Sequence, residues 1–319
     1  MKKFLNDPAD VVRDALTGFI AAHADLVRLH RNPAFVQRAG GTPAGKVAIV
    51  SGGGSGHEPL HIGFVGPGML DAACPGAVFT SPTPDQILAA MDASDAGAGV
   101  LLLVKNYDGD VMNFEMAAEL ATVPCRSVVI DDDAAGGRGV AGTVVVEKLV
   151  GAFAETGADL AACEALAVRA NRATRSLGVA LSSCTVPEVG EPSFAIGVGE
   201  MEEGVGIHGE RGRRRAAMKP AREITRDMVG TLLASLPQGD DEVLLMTNGF
   251  ASTPLIELYL MHGLAQEHLE RAGLRVTRSL VGNVCTSLDM AGCSFTVTRL
   301  DDELRRLWDA PVRTPALAR

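Results

Sequence analysis

Residues 51–61 read SGGGSGHEPLH and follow directly on the apolar run Val47–Val50. Glycine reaches backbone conformations closed to other residues and lets main-chain N–H groups approach a small ligand, so a glycine turn here delivers Ser55, His57 and Glu58 from the end of a strand. Ser55 and His57 are the polar and titratable groups such a ligand would meet. A second cluster, KNYDGDVMNF at 105–114, follows the apolar run Val100–Val104 and presents Asp108 and Asp110 before a helical pattern. Ligands of open α/β sheets bind beyond the carboxyl ends of strands, so His57 and Asp110 overhang one crevice if these two strands are neighbours. A carboxylate there can accept a hydroxyl proton; on spacing alone, capping of the next helix by Asp110 is the alternative. A third cluster, GVGIHGERG at 204–212, sets His208 among glycines, which have no side chains to bury it. His23, His30, His61, His262 and His268 lie within or beside helical patterns and receive no role.

Two glycine motifs are discounted. Gly40 to Lys46 matches the spacing of a phosphate-binding loop, but Val47 stands where a magnesium-holding hydroxyl belongs, and the segment precedes a strand instead of following one. Gly137, Gly139 and Gly142 match dinucleotide spacing, yet residues 131–136 separate them from the preceding strand, which favours a structural turn.

The elements that must position these clusters alternate. A helix is expected over 8–31 after Asp7-Pro8, and a helical pattern over Pro84–Ala93 separates apolar runs at 47–50, 100–104 and 128–130. This predicts an α/β fold, with a largely parallel sheet wrapped by helices in the first half. A long helical pattern from about Thr143 to Arg175 precedes the polar stretch SSCTVPEVGEPS, which places a boundary near Ser183 and gives domains of 1–183 and 184–319. Beyond it Phe194–Val198, Val243–Met246, Leu274–Val281 and Ser294–Thr298 read as strands, with helices over Thr225–Leu236 and Thr253–Ala272. The expectation is two α/β domains, each a mostly parallel or mixed sheet flanked by helices.

The 319 residues exceed the usual size of one hydrophobic core, which agrees with two domains. A net charge of −10 opposes nonspecific binding to nucleic acid or anionic membranes. The short basic run Arg211–Arg215 reads as a solvated loop, with an acidic docking partner as the alternative. No apolar segment reaches the ~18 residues of a membrane span and the start lacks a signal-peptide core, so a cytoplasmic location is expected. The six cysteines form no CxxC pair and read as buried thiols, and no metal site is expected.

Together the clusters resemble the substrate-binding K subunit of dihydroxyacetone kinase. GGGSGHEP at 52–59, KNYDGDVMNF at 105–114, GGRGVAGTVVVEKLVGAF at 136–153, GIHGE at 206–210 and TSLDMAG at 286–292 carry the resemblance in order along nearly the whole chain. It implies two α/β domains, a homodimer and a ketone substrate held covalently by His208. A neutral imidazole nitrogen that adds to the C2 carbonyl has no N–H left to lose, so the adduct stops at a hemiaminal. By the same resemblance His57 and Asp110 are the acid/base pair, and Gly54, Ser55, Gly56 and Lys105 contact the substrate. No residue of this chain is assigned to ATP. The resemblance places ATP or ADP with Mg2+ on a separate L subunit, implied because the chain stops at Arg319, with ATP or a phosphotransferase-system protein as phosphoryl donor. Asp108, Arg211 and NGFAST at 248–253 depart from the family pattern and leave the ketose open between dihydroxyacetone and four-carbon relatives such as erythrulose. A non-catalytic ketose-sensing paralogue that partners a transcriptional regulator is the alternative function.

Overall fold

In the computed structural model, residues 2–319 are described, and the chain divides into two units, each built on a mixed six-stranded sheet. Among the described residues, the first unit comprises 2–130, 146–169 and 306–319, and the second 131–145 and 170–305. The single boundary expected near Ser183 differs from this division. Residues 174–180 form a strand of the second sheet, and the chain passes between the units four times.

The strands of the first unit are β1 (Val27–Arg31), β2 (Ala34–Arg38), β3 (Ala48–Ser55), β4 (Ala72–Val78), β5 (Val100–Lys105) and β6 (Cys125–Ile130), in the order β1-β2-β4-β3-β5-β6. β4, β3, β5 and β6 are parallel, whereas β1 and β2 are antiparallel additions at one edge. β3 and β5 pair directly from Ala48↔Val100 to Ser51↔Leu103, so the carboxyl ends that carry the first two clusters are neighbours. Helices α1 (Val11–Ala22), α2 (Pro84–Ser94) and α3 (Asp108–Leu120) belong to this unit. α2 starts as its sequence predicts, with Pro84 in the first turn and the Gln86 side chain accepting from Thr83 N at 3.0 Å. Val50, Ile87, Met91, Leu102, Val104 and Phe114 bury themselves together, each contributing roughly 1.5–3 kcal/mol of transfer free energy.

Two local expectations are corrected. The opening helix ends at Ala22, and Val27 and Leu29 alternate with Arg28 and His30 in β1. The long helical pattern is two helices, α4 (Gly142–Ala154) and α5 (Leu160–Ala173), interrupted where Gly157 adopts φ +83°.

The second unit contains β7 (Thr174–Ala180), β8 (Glu200–Glu203), β9 (Arg214–Ala217), β10 (Glu242–Gly249), β11 (Arg275–Gly282) and β12 (Gly292–Arg299), ordered β11-β10-β12-β7-β8-β9. Only β10 and β11 are parallel. Helices α6 (Ala221–Ser235) and α7 (Leu255–Arg271) pack Met228, Leu232, Leu258 and Ala265 with Leu245, Phe295 and Val297 of the sheet. Phe194–Val198, expected as a strand, is irregular: Phe194 is buried, but Gly197 and Gly199 follow and Val198 is exposed.

α8 (Asp302–Asp309) leads into the last residues, which return to the first unit. Trp308 is buried, Arg313 N donates to Pro67 O at 2.9 Å and Ala316 N donates to Gly63 O at 2.9 Å. The two discounted glycine motifs have structural roles. Lys46 is buried, with Nζ 2.5 Å from Asp71 Oδ2, while the Asp132 carboxylate accepts from Val140 N and Gly142 N, both at 2.8 Å. Burial raises the Asp132 carboxyl to about 6 despite those bonds.

Candidate active site

At the end of β3 the glycines are required by what lies against them. A Cβ on Gly53 would stand 1.9 Å from Lys105 Nζ, and one on Gly54 would stand 2.7 Å from Thr80 N. Gly56 has φ +104°, which a side-chain-bearing residue rarely adopts. Ser55 is buried and its hydroxyl donates to Gly76 O at 2.7 Å. His57 is buried with its ring stacked on Phe79, centroids 4.9 Å apart and planes inclined by 14°.

Lys105, the last residue of β5, has no exposed surface. Its Nζ lies 3.0 Å from Gly52 O, 3.0 Å from Asp110 Oδ2 and 3.1 Å from His61 Nε2. An ammonium has three donors, and here each has one acceptor. Asp110 is buried in the first turn of α3, where the helix N-terminus favours negative charge. Its Oδ2 is bound to Lys105, while Oδ1 is buried with no hydrogen-bond partner. Asp108, in the same turn, is exposed, so the two carboxylates have different surroundings.

The structure thus brings Gly54, Ser55, Gly56, His57, Lys105 and Asp110 to one end of the first sheet. It adds two residues that the sequence reading passed over. His61 Nδ1 lies 2.6 Å from Glu147 Oε1 and 3.1 Å from Ser51 Oγ. Burial first, then the Lys105 and His57 charges, push the His61 imidazole well below its ordinary range. Burial raises the Glu147 carboxyl to about 8, against the pull of Lys105. The available signal was Glu147 itself, a carboxylate within the apolar run TVVVEKLVGAFA.

His208 belongs to the second unit, in the loop joining β8 and β9 after their last pair, Glu203↔Arg214. Its backbone N–H donates to Glu210 Oε2 at 2.8 Å. Glu210 Oε1 accepts from Arg138 at 3.1 Å, and Arg138 also reaches Asp133 Oδ2 at 2.6 Å and Gly204 O at 2.9 Å. Gly209 has φ +72°, and a Cβ there would come within 2.6 Å of Cys184 Sγ and Ser193 Oγ. The glycines around His208 therefore shape the loop that presents a half-buried imidazole. The neighbouring basic run pairs within the hairpin, Arg214 with Glu203 at 2.6 Å and Arg215 with Glu202 at 2.9 Å.

The Dak1 domain profile matches residues 17–316. The chain belongs to the Dak1 family. It is 46% identical to the Escherichia coli (strain K12) protein described as the dihydroxyacetone-binding subunit DhaK of the PEP-dependent dihydroxyacetone kinase, over 99% of each chain. The L-erythrulose 1-kinase of Mycolicibacterium smegmatis is 41% identical over all of this chain and 58% of that protein's length. The solved structure described as the dihydroxyacetone kinase operon co-activator Dha-DhaQ superposes with a TM-score of 0.91 at 33% identity, covering 95% of this chain and 97% of that one. Two α/β domains with mixed sheets are therefore a property of this Dak1 chain. Among the described residues, no helix is long and apolar enough to cross a membrane.

Proposed function

We propose that this Dak1 protein is the substrate-binding subunit of a kinase for dihydroxyacetone or a related short ketose, with the nucleotide on a separate L subunit. The observation that carries the reading is the Asp110 carboxylate: one oxygen is tied to Lys105, and the other is a buried acceptor without a partner. Such an oxygen is equipped to take a hydroxyl proton as the hydroxyl oxygen attacks phosphorus. The 46% identity to a dihydroxyacetone-binding subunit supports the substrate class, and the 41% identity to an erythrulose kinase keeps four-carbon ketoses within it.

In this reading a neutral nitrogen of His208 adds to C2 of the ketone, and the carbonyl oxygen gains a proton with the help of His57. The imidazole releases its other N–H proton, so the whole ketose is added without loss of water. Capture selects ketones and aldehydes over glycerol and orients the terminal hydroxyl, which can lower the barrier by several kcal/mol. Asp110 then deprotonates that hydroxyl. The donor is ATP, or ADP rephosphorylated in place by a phosphotransferase-system protein.

Native mass spectrometry with dihydroxyacetone, erythrulose and glycerol, on wild type and His208→Ala, tests the reading. Gain of a whole ketose by wild type alone is the expected result. No gain with either ketose from folded protein would overturn it. The likeness to a co-activator supports sensing as a second reading, and phosphorylation assays with an L subunit separate the two.

A further inference from the structure

Lys105 is fully buried, and a buried ammonium is costly unless anions or acceptors are bound to it. Asp110 provides one anion, at 3.0 Å, on the side toward the proposed substrate. The other side ends at His61, whose remote nitrogen is 2.6 Å from the fully buried Glu147. Donor counting fixes the proton on the imidazole. Lys105 has only hydrogens to offer, so His61 Nε2 accepts and Nδ1 carries the proton, facing Glu147 Oε1 at 2.6 Å and Ser51 Oγ at 3.1 Å; the shorter contact suits a carboxylate acceptor. Across this chain the Glu147 charge reaches Lys105 through one aromatic ring.

We infer that Glu147 and His61 are positioning residues for the hydroxyl-activating carboxylate, acting through Lys105 to hold Asp110 with Oδ2 bound and Oδ1 left for substrate. This inference rests on the reading of Asp110 given above. Neither residue touches substrate. Their effect is to keep the Lys105 ammonium directed at Asp110.

Protonating Glu147 reverses the chain. The neutral acid donates to His61 Nδ1, the ring proton moves to Nε2, and an N–H then faces the Lys105 ammonium. One of the three Lys105 bonds is lost, and with it part of the alignment of Asp110. The charged and titratable groups that bear on the Lys105–His61 pair are Asp110 from α3, His57 from the segment after β3, and Glu147 from α4. Raised by burial to about 8, Glu147 changes state within an accessible range of pH. The direction follows: the aligned form is present above that pH and is lost as pH falls through it.

The isosteric Glu147→Gln variant holds the uncharged state permanently, whereas Glu147→Asp keeps the charge on a shorter arm. In the kinase reconstituted with an L subunit, Glu147→Gln should lower kcat about tenfold or more with KM within about threefold, as expected for a displaced reacting group. Its kcat should also lose the pH dependence near 8, which Glu147→Asp should retain. A purely packing role predicts the opposite ranking, with Gln mild and Asp severe, and that ranking would overturn the inference. Imidazole 15N shifts of His61 in the unmutated chain provide a readout independent of variant folding. The Nδ1–H tautomer above pH 8 is expected, and an Nε2–H tautomer at every pH would refute the chain of protons. If wild type captures no ketose and transfers no phosphoryl group, the proposed function fails. If wild type is active and folded Glu147→Gln matches it, the inference alone fails.

Discussion

Gly53→Ala tests the architecture at one atom. Gly53 is outside the left-handed region of φ, so alanine is permitted by the backbone and only space decides the outcome. The new methyl carbon would stand 1.9 Å from Lys105 Nζ, 3.1 Å from Lys105 Cε and 3.4 Å from His61 Nε2. Contact at about 3.5 Å requires the ammonium to retreat by roughly 1.6 Å. Bonds of 3.0 and 3.1 Å to Gly52 O, Asp110 and His61 cannot all survive such a shift. A buried bond to a charged group contributes about 1.5–3 kcal/mol, so loss of one or two should reduce stability by about 3 kcal/mol. Misplacing the Asp110 carboxylate by about 1 Å costs on the order of 100-fold in rate. Denaturant unfolding of the chain alone gives the first quantity, and steady-state phosphorylation of dihydroxyacetone with an L subunit gives the second. His208 and the residues that bond it are untouched, so capture of ketose by native mass spectrometry should persist. A folded Gly53→Ala protein with kcat within threefold of wild type would show that the Lys105 geometry does not control the chemistry.

Asp110→Asn keeps an oxygen for Lys105 but removes the proton acceptor, so phosphorylation should fall by about 100-fold or more while ketose capture persists; parallel kinetics and mass spectra check this. Arg138→Met removes the brace on Glu210, which holds His208 N, and should lower adduct occupancy at His208 about tenfold by loosening the loop, read from mass spectra against ketose concentration. Asp132 titrates near 6 in the fold and near 3.8 unfolded, so its contribution is fully present below about pH 4 and lost as pH rises through 6. Urea unfolding of wild type and Asp132→Asn should therefore show their difference moving by about 3 kcal/mol against wild type between pH 4 and 7, and a constant difference would remove the assignment.

Legibility in the sequence followed locality. β3 and β5 are short apolar runs ended by polar or glycine residues, the pattern that parallel strands buried on both faces require, and the edge strand β6 keeps a shorter run, Val128 to Ile130. β1 was hidden because Leu26 and Leu29 are also three apart, which fits a helix. β4 reads AACPGAV, with little of the branched or aromatic bulk that marks a strand, and β8 and β9 are charged strands whose partners lie across the hairpin. In the site, His57, Lys105 and Asp110 were visible because each sits within a few residues of a strand end. The contact between His61 and Glu147 spans 86 positions, and no spacing rule carries that far. What the chain did offer was an acid in an apolar helix, a local inconsistency of the kind that marks a functional group.

The return of residues 306–319 to the first unit has a bearing on how the protein is made. Their bonds to Gly63 and Pro67 lie just beyond the loop that carries His57 and His61. Synthesis from the N-terminus delivers the strands bearing the first two clusters well before the segment that secures their neighbours. The second unit is encoded between those two events. The first sheet must therefore wait, incompletely braced, until residues 306–319 have been made, and a chain cut near residue 305 would be damaged far from the cut, around Gly63 and Pro67.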